Sequence, residues 1–103
     1  MLILPVEKMN TLQLRTLLDA LKASNRKIFF GQLAKNEMSQ KYIINNHGFL
    51  IYYSNGCLDL VTKNTVFDIQ KNLSTKDYIY AYSVRQFIKI FFGQLRHWPI
   101  EEK

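Results

Sequence analysis

The tripeptide Ser54-Asn55-Gly56 separates two runs rich in β-branched and aromatic residues, Phe49 to Tyr53 and Cys57 to Thr62. No other segment limits the fold as much. Two such runs around Asn-Gly read as a β-hairpin, because a tight type I′ turn needs positive φ at both central residues, which Asn tolerates and Gly adopts freely. Segments with helical spacing flank this hairpin, so the chain must combine helices with antiparallel strands.

Before the hairpin, Leu14, Leu17, Leu18 and Leu21 recur at the i, i+3, i+4, i+7 spacing that aligns side chains on one helical face. A helix from Thr11 to Ala23 follows, with Asn10 as N-cap. After the hairpin, Val84, Phe87, Ile88, Phe91, Leu95 and Trp98 hold the same spacing, with Ser83 as cap and Pro99 beyond. The heptapeptide Lys27-Ile28-Phe29-Phe30-Gly31-Gln32-Leu33 returns unchanged at Lys89 to Leu95. It is too short for a solenoid repeat. Its first copy reads as a second N-terminal helix from Arg26 to Asn36, although Gly31 and the two aromatics leave a strand open.

Residues 41–46 allow two readings. They form either the first strand of a three-stranded meander or a short recognition helix, capped by Ser39 and ending at Gly48. Further on, Asn64 caps a short helix through Leu73, and Asp77 to Tyr82 alternates like a strand. The expected architecture is α+β: two N-terminal helices, a central antiparallel β-hairpin or three-stranded meander, and a C-terminal amphipathic helix. One domain over residues 1–103 is expected, since the chain has the length of one ordinary domain. Seven Phe, six Tyr and one Trp supply its core.

Several chemistries are not suggested. Cys57 is the only cysteine, which removes any intramolecular disulfide and favours a cytoplasmic setting, with Cys57 a small apolar side chain in a strand. Met1 to Val6 is apolar, but Pro5 and Glu7 interrupt it before a secretory segment can form. No stretch of about 18 apolar residues spans a membrane. His47, His97 and Cys57 have no metal-ligand spacing. The four glycines are isolated, so no phosphate-cradling loop is present. Neither a nucleophile motif nor a carboxylate pair stands out; Asp59 and Asp68 read as a solvated strand face or helix end. We therefore expect no enzyme activity, no cofactor and no metal.

The formal charge is +6, which favours an anionic partner. Lys22, Arg26, Lys27, Lys35 and Lys41 stand against one acid, Glu37, and in the last helix Arg85, Lys89 and Arg96 fall on one stripe. Such groups can neutralise phosphates and give salt-sensitive affinity, with exposed Tyr stacking on unpaired bases. The expected function is that of a small basic regulatory protein binding nucleic acid.

In the recognition-helix reading, Leu33 to Ile43 is similar to helix-turn-helix sequences, and the hairpin would be a wing. The resemblance covers about half the chain and departs from the pattern in its short turn. It implies that Ser39, Gln40, Lys41 and Asn45 approach a groove while Lys35 and hairpin residues touch the backbone. The alternative is a protein-binding adaptor or inhibitor presenting Tyr52, Tyr53, Tyr78, Tyr80 and Tyr82 to a partner. A homodimer through Ile90 and Phe92 is a third option.

Overall fold

A computed structural model describes residues 1–93 of the chain, and their fold is α+β, with five helices and a five-stranded mixed sheet among the described residues. In chain order the elements are β1 (Leu2–Pro5), α1 (Thr11–Lys22), β2 (Phe29–Phe30), α2 (Gln32–Lys35), α3 (Glu37–Asn45), β3 (Phe49–Tyr52), β4 (Cys57–Val61), α4 (Lys63–Gln70), β5 (Ile79–Tyr80) and α5 (Val84–Phe91). Across the sheet the order is β2-β4-β3-β1-β5. The three inner strands pair antiparallel, whereas the edge strands β2 and β5 run parallel to β4 and β1.

Period-two alternation sorts the sheet side chains onto two buried faces. Leu2, Leu4, Leu50, Leu58 and Leu60 join the leucines of α1 and Phe87, Ile90 and Phe91 of α5 in the larger cluster. Ile3, Ile51 and Val61 face the other way, where Val66 of α4 covers them. Both faces of β1 are therefore buried, which explains why Leu2-Ile3-Leu4 is continuously apolar. Pro5 interrupts no ladder. Val6 donates to Gly48 of the β3 side, so the N–H that Pro5 lacks would point toward β5, beyond the last residue of that strand.

The caps follow from local chemistry. Asn10 Oδ1 accepts the Gln13 N–H at 2.8 Å while Gln13 Oε1 accepts the Asn10 N–H at 2.9 Å, a reciprocal box that starts α1. Ser83 Oγ accepts the Gln86 N–H at 3.1 Å and starts α5. Both caps are the residues the sequence suggests.

Elsewhere the structure corrects the reading. No helix runs from Arg26 to Asn36: Phe29–Phe30 is an edge strand and Gly31 opens the four-residue α2. Residues 41–45 belong to α3, so there is no meander, and the cap is Asn36, whose Oδ1 accepts from Met38 and Ser39. Ser39 does not cap it because the helix begins two residues earlier. Thr62, and not Asn64, caps α4. The strand near Tyr78 is only Ile79–Tyr80. In the hairpin loop only Gly56 takes positive φ, at 88°. Gly56 donates to Tyr53 O and Tyr53 donates to Cys57 O, the three-residue form with a left-handed glycine in place of a type I′ turn. The last helix, expected to run on to Trp98, closes at Phe91, with Phe92 as its C-cap and Gly93 at φ 70°; Leu95, Arg96, Trp98 and Pro99 lie outside the described residues.

Candidate nucleic-acid interface

Strand β2 is held to β4 by the Phe29 N–H on Gly56 O at 3.0 Å and the Gly31 N–H on Leu58 O at 2.7 Å. Gly31 then serves as N-cap of α2 without a side chain to do the capping. What glycine supplies here is space, since a Cβ would stand 2.3 Å from Asp59 Cγ. The Asp59 carboxylate fills that space and takes the backbone N–H groups of Leu33 and Ala34 in α2, as well as that of Leu60. A residue of the neighbouring strand thus satisfies amides that the helix start leaves open. Asp59 is half-buried in this role, contrary to the solvated strand face expected of it.

Burial pushes the Asp59 carboxyl above its ordinary value of 3.8, against the downward pull of the Leu60, Ala34 and Leu33 N–H groups. Because its folded pKa is raised, Asp59 binds more protons folded than unfolded as pH climbs from 3.8 through the raised value. Its contribution to stability is therefore lost over that window. Urea titrations across mildly acidic pH should show a fall in stability that Asp59→Asn flattens. An unaltered slope in the variant would assign the effect to another group. Burial, and then the charge of Asp59, also pushes the Cys57 thiol above 9.0, which leaves it a poor nucleophile at neutral pH.

On the open side of β2, Lys22, Arg26 and Lys35 line one cleft of about 630 Å³ together with Ile28, Phe29 and Phe30; Asp19 is the acid in its wall. Lys22 and Lys35 each occupy the last turn of a helix, where unpaired carbonyls favour a cation. An adjoining hollow of about 730 Å³ continues past Phe30 and Lys35 to Asn36 and Glu37. Phe29 is 57% exposed, and Lys27 Nζ lies 5.6 Å from its ring centroid. Among the described residues the ion pairs are Arg15 with Glu37 and Lys71 with Asp68. The cations of the cleft take no part in either. Arg26 is also a packing group, with its guanidinium carbon 5.4 Å above the Phe91 ring at the end of α5.

The remaining candidates are dispersed. Lys41 is exposed on α3 and Arg85 on α5, Lys89 is half-buried, and none of the three lines the cleft. Arg96 falls outside the described residues. Gln40, proposed to approach a groove, is 6% exposed, and its Nε2 donates to Ala34 O at 2.8 Å. Asn36 alone separates α2 from α3, whereas a helix-turn-helix has a turn of about 3–4 residues.

Tyr52, Tyr53, Tyr78 and Tyr80 are half-buried and do not form an open face. Tyr52 packs edge-on against Phe91 with centroids 4.9 Å apart. Tyr78 meets Tyr80 at 5.8 Å, and Tyr80 Oη receives the Gln70 Nε2 hydrogen at 2.6 Å. Tyr82, at 85%, is the exposed member of the group. Ile90 is buried at 6%, so the dimer contact suggested for it has no side chain to offer.

Sequence reasoning missed Phe29, Phe30 and the pairing of Gly31 with Asp59. The available signal was two adjacent aromatics inside the most basic stretch, followed at once by glycine.

Comparison with known protein families, characterised proteins and solved structures finds no match to this chain. The functional reading therefore rests on geometry. Among the described residues, no helix is long and apolar enough to cross a membrane. Likewise, no group of three or more His, Cys, Asp or Glu side chains is gathered to hold a metal ion.

Proposed function

We propose that this chain is a small basic regulatory protein that binds nucleic acid through the cleft beside β2. The observation that carries the reading is the convergence of Lys22, Arg26 and Lys35 on one concavity whose wall holds a single acid, with Lys27 beside it over an exposed ring. Cations gathered in a concave surface concentrate positive potential and attract a polyanion from a distance. Contact with phosphates then releases counterions, so affinity falls steeply with salt.

The test separates position from net charge. Lys22→Gln, Lys27→Gln and Lys35→Gln are combined in one variant. A second variant combines Lys63→Gln, Lys71→Gln and Lys76→Gln, which removes the same charge from residues that do not line the cleft. At low salt the wild type is expected to retard a labelled polynucleotide. The cleft variant should lose about 2 from the slope of log affinity against log salt, at roughly 0.7–0.9 per phosphate contact. Equal losses in the two variants would show that overall charge, and not this cleft, is responsible. Arg26 is left intact because its stacking on Phe91 would mix binding with folding.

A further inference from the structure

We infer that the cleft takes single-stranded nucleic acid in preference to duplex, with one unpaired base stacked on Phe29 and its flanking phosphates held by the surrounding cations. This inference rests on the nucleic-acid reading above and specifies the class of ligand. Three features of the site lead to it.

Phe29 presents a largely open aromatic face in a two-residue edge strand, at 57% exposure. An exposed phenylalanine has no polar atom to satisfy, so the group that gains from covering it is another flat apolar surface. Every base offers such a face once it is unpaired. In a duplex those faces are stacked on one another and out of reach. The ring is also seated by its surroundings: Lys27 Nζ stands 5.6 Å from its centroid, and a Cβ at Gly56 would touch Lys27 O at 3.3 Å and Phe29 Cδ2 at 4.0 Å.

The second feature is the backbone of β2. Phe29 and Gly31 direct their N–H groups to β4. By the alternation of a paired strand, the N–H and C=O of Phe30 therefore face the open edge. They offer one donor and one acceptor next to the ring, where the edge of a stacked base would lie.

The third is that α3, the helix a groove-reading protein would present, is not basic on its outward side. The outward positions of α3 are Glu37, Met38, Lys41, Tyr42 and Asn45, with one acid against one cation. Gln40 is turned inward to Ala34. The positive charge instead lines a hollow, which suits a flexible strand better than a rigid rod. Lys63 lies 5.8 Å from the Phe67 centroid in a comparable pair on α4, but Asp68 and its partner Lys71 adjoin it.

The experiment measures fluorescence anisotropy with labelled oligodeoxythymidine and with a blunt oligo(dA)·oligo(dT) duplex of equal length, on wild type, Phe29→Ala and Phe29→Trp. Single-strand binding tighter than duplex binding is expected. Phe29→Ala should weaken the single-strand complex about tenfold, with duplex binding little changed, and Phe29→Trp should restore or exceed wild-type affinity. Circular dichroism checks that the variants fold. Equal binding of both probes, unaffected at Phe29, would overturn the single-strand inference while leaving the cleft a general polyanion site. Binding of neither probe at low salt would remove both readings.

Discussion

Ile3→Asp is expected to leave the chain unfolded at room temperature, with far-UV circular dichroism losing its ordered signal and the proton NMR spectrum collapsing to random-coil dispersion. Ile3 has no exposed surface and lies between β3 and β5, paired with Ile51 and Tyr80. A carboxylate there would be packed against Ile51, Val61 and Val66. Burying an unpaired charge costs several kcal/mol, comparable to the ~5–15 kcal/mol that holds an ordinary domain folded. Ile3→Val keeps the strand and removes one methylene, so it should cost only about 0.5–1.5 kcal/mol. A folded Ile3→Asp variant with native dispersion would mean that Leu2–Pro5 is not an interior strand.

The second large effect lies at the start of α2. Gly31→Ala places a Cβ where the Asp59 carboxylate sits, 2.3 Å from Cγ, so the carboxylate must leave and the first turn of α2 loses its acceptor. Because the displaced atoms are the far end of a rotatable side chain, the cost is mainly the lost cap, about 1–2 kcal/mol, read as a lower urea midpoint with an unaltered m-value. The backbone at Gly31 has φ −67° and ψ 166°, which any residue can adopt, so steric exclusion and not strain is the cause. A compensating pair checks this. Asp59→Ala should destabilise by about 1 kcal/mol, whereas adding Gly31→Ser to it moves the capping oxygen onto the helix's own N-cap and should recover most of the loss. A double variant weaker than either single change would defeat this account.

How much of this could be read from residues alone varied with how local the determinants were. The first helix, its Asn10 cap, the Ser83 cap and the two hairpin strands were legible because each is set by contacts a few residues apart. Leu2–Pro5 was not, since a short run buried on both faces carries no alternation, and its partners lie near residues 50 and 80. The repeated heptapeptide shows the limit most plainly. In the first copy Phe29 and Phe30 are extended, and Gly31 opens a helix at φ −67°. In the second, Lys89 to Phe91 is helical, and Gly93 adopts φ 70° beyond its end. The same string serves two conformations because neighbours decide: the open edge of β4 and the carboxylate of Asp59 in one case, the capped start at Ser83 in the other.

The candidate site divides along the same line. The excess of cations between Lys22 and Lys41 was visible as composition, but only Lys22, Arg26 and Lys35 reach the cleft. Which cations converge depends on where β2 attaches, and no local pattern encodes that. The tyrosines misled because alternation in a strand does not say whether a face of the sheet is covered: Tyr53, Tyr78 and Tyr80 share the α4 face, and Tyr52 packs on Phe91 of α5.

The position of β1 also bears on the order in which the molecule can assemble. Strand β1 is made well before the two strands it docks between, β3 and β5. Until residues near 80 emerge, a nascent chain carries Leu2-Ile3-Leu4 with one edge, and at first both, unmated. Distant pairings of this kind slow folding and prolong the exposure of sticky intermediates. Yield in cells should therefore respond to chaperone supply and growth temperature more strongly than the finished molecule's stability alone would suggest.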